Sequence, residues 1–271
     1  MLIFFLIFAF LLGAVIGSFT NCFVWRLHEN ETLLNRSYCP KCREQIAWYD
    51  NIPVLSFVIL RGRCRHCGKP ISWQYPLVEL ATAILFAVAF YLNLRSYFPD
   101  GLDIYSWFLL ADDHFLASLI KQWLVIFAAM AIFVYDWRWY LIPDSVALPA
   151  ALFAFLLNLY LGADWLVMIY CVLIGGGFFL AQFLVSRGKW VGGGDVRLGI
   201  LLGAVLGRYD LLILALVLTY FIGSAIGLSL VAIGKKHWSS KLPLGVFLVP
   251  GLLVAMFWGQ SIVNWYLKII L

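Results

Sequence analysis

Polar and apolar positions alternate on a long length scale in this chain. Apolar stretches of roughly 20 residues, the length a helix needs to cross a bilayer, recur from one end to the other. They predict eight membrane-spanning helices, at 1–24, 75–97, 117–135, 141–161, 165–186, 193–207, 211–233 and 243–269. The sixth is short and rich in glycine. The expected fold is an all-α polytopic membrane protein with one small soluble insert at 25–74, the only long polar segment. Three regions follow: the first span (1–24), the insert (25–74) and a helical bundle (75–271). The first run, Met1–Val24, has no basic n-region and no small-residue cleavage site, so it reads as a retained span rather than a signal peptide. Gly175–Gly177, Gly203 with Gly207, and Gly223 with Gly227 put small residues at helix-contact spacing.

Composition agrees with a chain solvated mainly by lipid. It is 64% hydrophobic and 12% charged, about half the charged fraction of a soluble domain. Soluble globular classes are excluded. The net charge of +5 is modest and gives no reason to expect a nucleic-acid partner; its distribution says more. With eight spans, only Arg95, Lys121, Arg208 and Lys268 of the 19 basic residues fall on one side, and the other fifteen fall on the opposite side. The richer side, which includes the insert, is expected to face the cytoplasm, with both termini outside. The acidic stretch Asp100–Asp113 then lies outside, and a six-span arrangement would break this alternation.

The insert carries Cys39-Pro-Lys-Cys42 and, further on, Cys64-Arg-His-Cys67. Paired C-x2-C knuckles present four thiolates to one tetrahedral Zn2+, and flanking Arg and Lys favour the thiolate forms. A redox pair or inert thiols are the alternatives, and structural disulfides are disfavoured on the cytoplasmic side. A closed four-thiolate site leaves no open position for water, so the expected zinc is structural. Cys22 and Cys171 stand alone in apolar spans and read as core residues.

Ionisable groups beside membrane spans need a reason. Asp136 ends the run Trp123–Tyr135, and Asp195 closes Gly192-Gly193-Gly194-Asp195 just ahead of another apolar helix. The topology puts both at the cytoplasmic ends of spans. Two carboxyls brought together share a proton, giving a general base for water and a general acid for a leaving amide. The glycines let backbone approach closely and leave room for an extended substrate. The plainer alternative is that Asp136 and Asp144 border an interfacial turn and Asp195 caps a helix. The four histidines, His28, His66, His114 and His237, sit on loops without a nucleophilic triad.

Further motifs run through the chain. They are Gly17-Ser-Phe-Thr-Asn21 with Arg26, Tyr38–Cys42, Trp48–Ser56, Arg61–Cys67, Tyr75–Glu79, Ile142-Pro-Asp144 and Leu242–Leu248. In order and spacing they resemble the bacterial prepilin peptidases of type IV pilus and type II secretion systems. The resemblance implies a GxGD-type aspartic endopeptidase of the bacterial inner membrane, with Asp136 and Asp195 as its catalytic pair. Such an enzyme removes the leader peptide from prepilins or pseudopilins after a glycine, ahead of an apolar helix. Many members then methylate the new N-terminus with S-adenosylmethionine, and a cysteine-bearing insert accompanies that second activity. Departures are Arg138, where the family often has a second Asp, and Val196 and Arg197, where Phe and Lys are usual.

No glycine-rich nucleotide fingerprint follows a predicted strand, so cofactor residues do not emerge from spacing. Glu79 is the carboxylate of the second span and a candidate to hold the substrate amine or a sulfonium; a packing carboxyl is the alternative. Asn21 and Arg26 are similar candidates, and Arg26 reads equally as an orientation anchor. A transporter, or an adaptor that docks a partner through its zinc module, are the competing classes. Matching halves with mid-membrane charges would mark the transporter. An adaptor would leave Asp136 and Asp195 without a joint purpose.

Overall fold

The structure, a computed structural model, describes residues 2–98, 112–235 and 242–270. The acidic stretch at 100–111 and the residues Lys236, His237 and Lys241 lie outside the described residues. Among the described residues eight long helices form: α1 (Leu2–Glu29), α3 (Gln74–Tyr97), α4 (Asp113–Trp139), α5 (Asp144–Tyr160), α6 (Trp165–Ser186), α7 (Gly193–Leu206), α8 (Tyr209–Ala232) and α9 (Gly245–Ile270). The insert adds a 3-10 turn at Trp48–Asn51 and a short helix α2, Leu55–Ile59. No strand forms among the described residues, and the insert holds two isolated bridges. Each of the eight predicted spans coincides with one long helix.

Six of these helices are long and apolar enough to cross a membrane. The other two are α5, with 17 residues, and α7, with 14. At 1.5 Å per residue α7 rises about 21 Å, short of the ~30 Å hydrocarbon core. Its surroundings explain how so short a helix is accommodated. Nine of the 14 residues of α7 are buried, against three of the 24 in α8. α7 is therefore lined by protein on most sides, and lipid thickness does not set its length.

The chain divides into two compact units, Met1–Phe115 and Leu116–Leu271, with α4 beginning in the first and continuing in the second. In the first unit α1 lies along α3. A Cβ on Gly17 would stand 2.7 Å from the Glu79 Cα, and one on Gly13 would stand 2.8 Å from the Ala83 Cα. Helices in lipid gain no hydrophobic drive toward each other, so association rests on such close packing. In the second unit the same device joins α6 to α7. Gly175 and Gly199 each sit against the other's carbonyl, and Gly203 sits against that of Cys171. Gly177 has open space beside it, whereas Gly223 and Gly227 meet the side chains of Phe247 and Leu242 at 3.3 Å. The predicted glycine contacts thus divide into backbone contacts between α6 and α7, tight side-chain contacts at Gly223 and Gly227, and an open position at Gly177.

The far end of α7 is also held. Gly207, at φ +59, turns the chain out of the helix. Asn158 Nδ2 donates to the carbonyls of Ala204 and Val205 at 2.8 and 3.0 Å, while its oxygen accepts from Lys121 Nζ at 2.8 Å. A cation there complements the negative end of the α7 dipole.

Candidate active site and cysteine centre

α4 continues one turn beyond the predicted end at 135, so Asp136 lies within helix and turns inward, 4% exposed. Tyr140, at φ +57, ends the helix with its N–H on the Asp136 carbonyl at 2.9 Å. The chain reverses through Ile142 into α5, with Pro143 at the cap and Asp144 as first residue. That turn docks on the start of α7 in two places. Asp144 pairs with Arg197 at 2.9 Å, and the Ile142 side chain covers Gly194, where a Cβ would come within 3.0 Å. Gly194 is therefore small because Ile142 occupies the space, while Gly193 opens onto nothing within 4 Å.

Asp195 is the third residue of α7 and 7% exposed. Its Oδ2 accepts the Gly192 N–H at 2.7 Å, and the Gly192 carbonyl accepts the Asp195 N–H at 3.1 Å. Asp195 is not the N-cap that the plainer alternative made it: Gly192 is the cap residue, and Asp195 reaches back to it from inside the first turn. Asp136 is anchored from the other side: the first turn of α9 lays the Val246 N–H on its Oδ2 at 3.2 Å. A Cβ on Gly245 would meet that oxygen at 2.7 Å and Leu198 of α7 at 3.2 Å, so Gly245 is the point where α9, α7 and Asp136 converge. Gly245 thus ties Asp136 to α7, the helix that carries Asp195. None of the ion pairs among the described residues engages either carboxyl. The arrangement is two buried acids, each fixed by a backbone amide, beside an open glycine. It suits proton exchange with water and a leaving group.

Sequence reasoning quoted Leu242–Leu248 as a motif but gave Gly245 and Val246 no role. The glycine ahead of an apolar helix was the available signal. His28 and His114 lie in the terminal turns of α1 and α4 rather than on loops, which corrects the expectation for those two.

In the insert the two cysteine knuckles are copies of one turn. Arg43 N–H donates to the Cys39 carbonyl at 2.8 Å, and Gly68 N–H to that of Cys64 at 2.9 Å. Cys39 N–H reaches Glu44, and Cys64 N–H reaches Lys69, at 2.9 and 3.0 Å. Arg43 and Gly68 both take positive φ, +59 and +66. Lys41 Nζ donates to the Pro70 carbonyl at 2.5 Å and joins one knuckle to the other. Arg65 clamps Asp50 through two hydrogen bonds of 2.6 and 2.7 Å.

The four sulfurs of Cys39, Cys42, Cys64 and Cys67 lie within 4.8 Å of one another. Tetrahedral zinc with bonds near 2.3 Å sets its sulfurs about 3.8 Å apart, so the cluster fits with a small contraction. Backbone N–H groups of Cys67 and His66 lower Cys64 to about 6 against its burial. For Cys42 the Glu44 amide favours the thiolate, but burial and the neighbouring thiols outweigh it and push the group up to about 11. Four sulfurs this close cannot all ionise alone; a divalent cation removes the conflict.

The other candidates lie in the first unit, all buried. Arg26 spends its guanidinium on the carbonyls of Leu33, Asn35 and Arg36 at 2.6, 2.5 and 3.1 Å, closing the chain after α1. Asn21 links α1 to α3 through the Tyr75 carbonyl and the Gln74 amide, both at 3.2 Å. Glu79 Oε2 accepts the Val54 N–H at 2.7 Å. Val54 sits at φ +61, a strained setting for a β-branched residue that costs about 1–3 kcal/mol, and the Glu79 carboxyl helps hold it.

Comparison with known proteins agrees with these features. The bacterial peptidase A24 N-terminal domain matches residues 11–93, and the type IV leader peptidase family matches residues 123–228. The prepilin leader peptidase/N-methyltransferase of Aeromonas hydrophila is 32% identical, covering 95% of this chain and 92% of its own length. The protein of that name in Bacillus subtilis (strain 168) is 31% identical over 97% of this chain and 98% of its own. The one in Klebsiella pneumoniae is 36% identical over 74% and 84%. No solved structure matches.

Proposed function

Since the chain belongs to the type IV leader peptidase family, we propose that it removes the leader from type IV prepilins or type II secretion pseudopilins and then methylates the exposed amine. The peptidase would be aspartic, embedded in the bacterial inner membrane and working at its cytoplasmic face. The observation that carries this reading is the buried pair Asp136 and Asp195, brought from α4 and α7 and paired with no cation among the described residues.

The substrate's basic leader lies at the cytoplasmic surface while its apolar helix stays in lipid, so the scissile bond reaches the interface. One carboxylate takes a proton from water as its oxygen bonds to the scissile carbonyl carbon. The other carboxyl gives its proton to the amide nitrogen as the C–N bond breaks, and the pair ends with its protons exchanged. The open side of Gly193, within the run Gly192–Gly194, admits an extended peptide. No metal and no acyl-enzyme take part.

Zinc held by Cys39, Cys42, Cys64 and Cys67 is structural in this reading and fixes the two knuckles. S-adenosylmethionine, when bound, supplies an electrophilic methyl group on a sulfonium. The buried carboxylate of Glu79, in none of the ion pairs among the described residues, suits a cationic amine or sulfonium. Asn21 joins α1 to the start of α3, and Arg26 closes the chain at 33–36 after α1.

The test is cleavage of a prepilin in membranes by wild type, Asp136→Asn and Asp195→Asn, with and without S-adenosylmethionine, read by mass spectrometry. Leader removal should vanish in both variants while zinc content is kept. The wild-type product should gain a methyl mass only with the cofactor. Normal processing by both variants would refute the pair.

A further inference from the structure

α2 buries little of itself. Ser56 is its one buried residue, with the hydroxyl on the Tyr49 carbonyl at 3.0 Å, and Phe57 lies against Trp73 with ring centres 4.8 Å apart. Leu55, Val58 and Ile59 are left 51, 65 and 63% exposed. Three neighbouring aliphatic residues turned outward on a small cysteine module call for an apolar surrounding.

The position of α2 supplies one. The Val54 N–H, just before α2, is bound to Glu79 at 2.7 Å, and Glu79 lies five residues into α3. At 1.5 Å per residue that is about 7 Å beyond the start of α3. Trp73, which contacts Phe57, immediately precedes α3. α2 is thus fastened beside the opening turns of a helix apolar enough to span the membrane. At that level α3 itself exposes Leu77 and Leu80, side chains suited to the boundary between headgroups and acyl chains. Arg61 and Arg63, both exposed, follow α2 directly, where lipid phosphates would meet them.

We propose that this face of the cysteine module is a membrane-docking surface. Leu55, Val58 and Ile59 enter the headgroup–acyl boundary, and Arg61 and Arg63 bind anionic phospholipid headgroups. The module is then a peripheral membrane element held level with its own span, in the manner of amphipathic interfacial segments. Glu79 and the bend at Val54 set the depth of α2.

The test places a photoreactive benzoylphenylalanine at Val58 or Ile59 in the full chain, reconstituted with phosphatidylethanolamine and phosphatidylglycerol. The same group at Leu80 reports the lipid-facing side of α3, and at Glu44 the exposed rim of a knuckle. Illumination should give phospholipid adducts at 58, 59 and 80 and none at 44. Arg61→Gln with Arg63→Gln should lower the phosphatidylglycerol share of the adducts at 58 and 59 at least twofold, leaving those at 80 unchanged. Adducts at 80 with none at 58 or 59 would overturn the proposal. So would cross-links from 58 and 59 into this chain or into an added prepilin, because protein would then cover the face.

Discussion

The cysteine cluster and the aspartate pair each unite separate stretches of sequence, but they are assembled in different ways. Each cysteine knuckle is finished within about seven residues by its own turn and bridge, Tyr38 to Gln45 or Arg63 to Pro70. Only the joining of two ready-made halves is left for tertiary structure, and Lys41 contributes to it through the Pro70 carbonyl. Asp136 has no such local frame. Its carboxyl is set by the Val246 amide, 110 residues away, and its partner by the first turn of α7. A metal site of this kind tolerates change around it as long as the turns survive. A site made where helices converge depends on every close contact between them.

The difference is tested most strongly by removing the ion. Structural zinc contributes on the order of 10 kcal/mol to a small site of this type. Chelation, or Cys64→Ser, should abolish amide protection at 38–45 and 63–70 in hydrogen exchange and abolish methyl transfer. Leader cleavage should persist, because the backbone amides that anchor Asp136 and Asp195 come from α9 and from the residue that caps α7. Parallel loss of cleavage would mean that the two regions are energetically one.

The converse test adds a single methyl to the helix junction. Gly245→Ala places a carbon 2.7 Å from the Asp136 oxygen, closer than nonbonded atoms approach. The carboxyl must shift or give up the Val246 amide. A displacement of about 1 Å costs on the order of 100-fold in turnover, or about 2.7 kcal/mol. Cleavage assays on the zinc-loaded variant should show that fall in kcat with metal content unchanged.

This contrast also explains what could be read from the sequence. The knuckles were visible because metal-ligand spacing is local, and the spans because hydropathy needs only a window. Asp195 was marked by the glycines before it, and Asp136 by its place at the end of an apolar run. Gly245 carried only the weak sign of a glycine ahead of an apolar helix, since its reason for being small is an oxygen on another helix. The brevity of α7 likewise made no sense until its burial was known: a helix lined by protein need not match the bilayer. Arg26, Asn21 and Glu79 show the limit from the other side. Sequence reasoning notices every polar residue in an apolar span, but it cannot separate a ligand-binding group from one engaged by the chain's own backbone.

The smallest effect belongs to the Arg65–Asp50 clamp, which ties the second knuckle to the 3-10 turn. Paired hydrogen bonds from Arg65 hold the Asp50 carboxyl below its ordinary range, with a lesser contribution from the charge of His66. A lowered carboxylate adds stability above its unfolded value, near 4, and loses it as pH falls through the folded value. Between pH 8 and 5 the contribution is therefore constant. Arg65 is half exposed and water screens the pair, so Asp50→Asn should speed metal release by less than about tenfold. Added salt should narrow the gap from wild type further. Metal-release rates for the two proteins should run parallel from pH 8 to 5. A gap that opens or closes within that window would mean that a group other than Asp50 governs the turn. The turn would then not rest on the arginine clamp, and the knuckle would be less self-contained than its backbone symmetry implies.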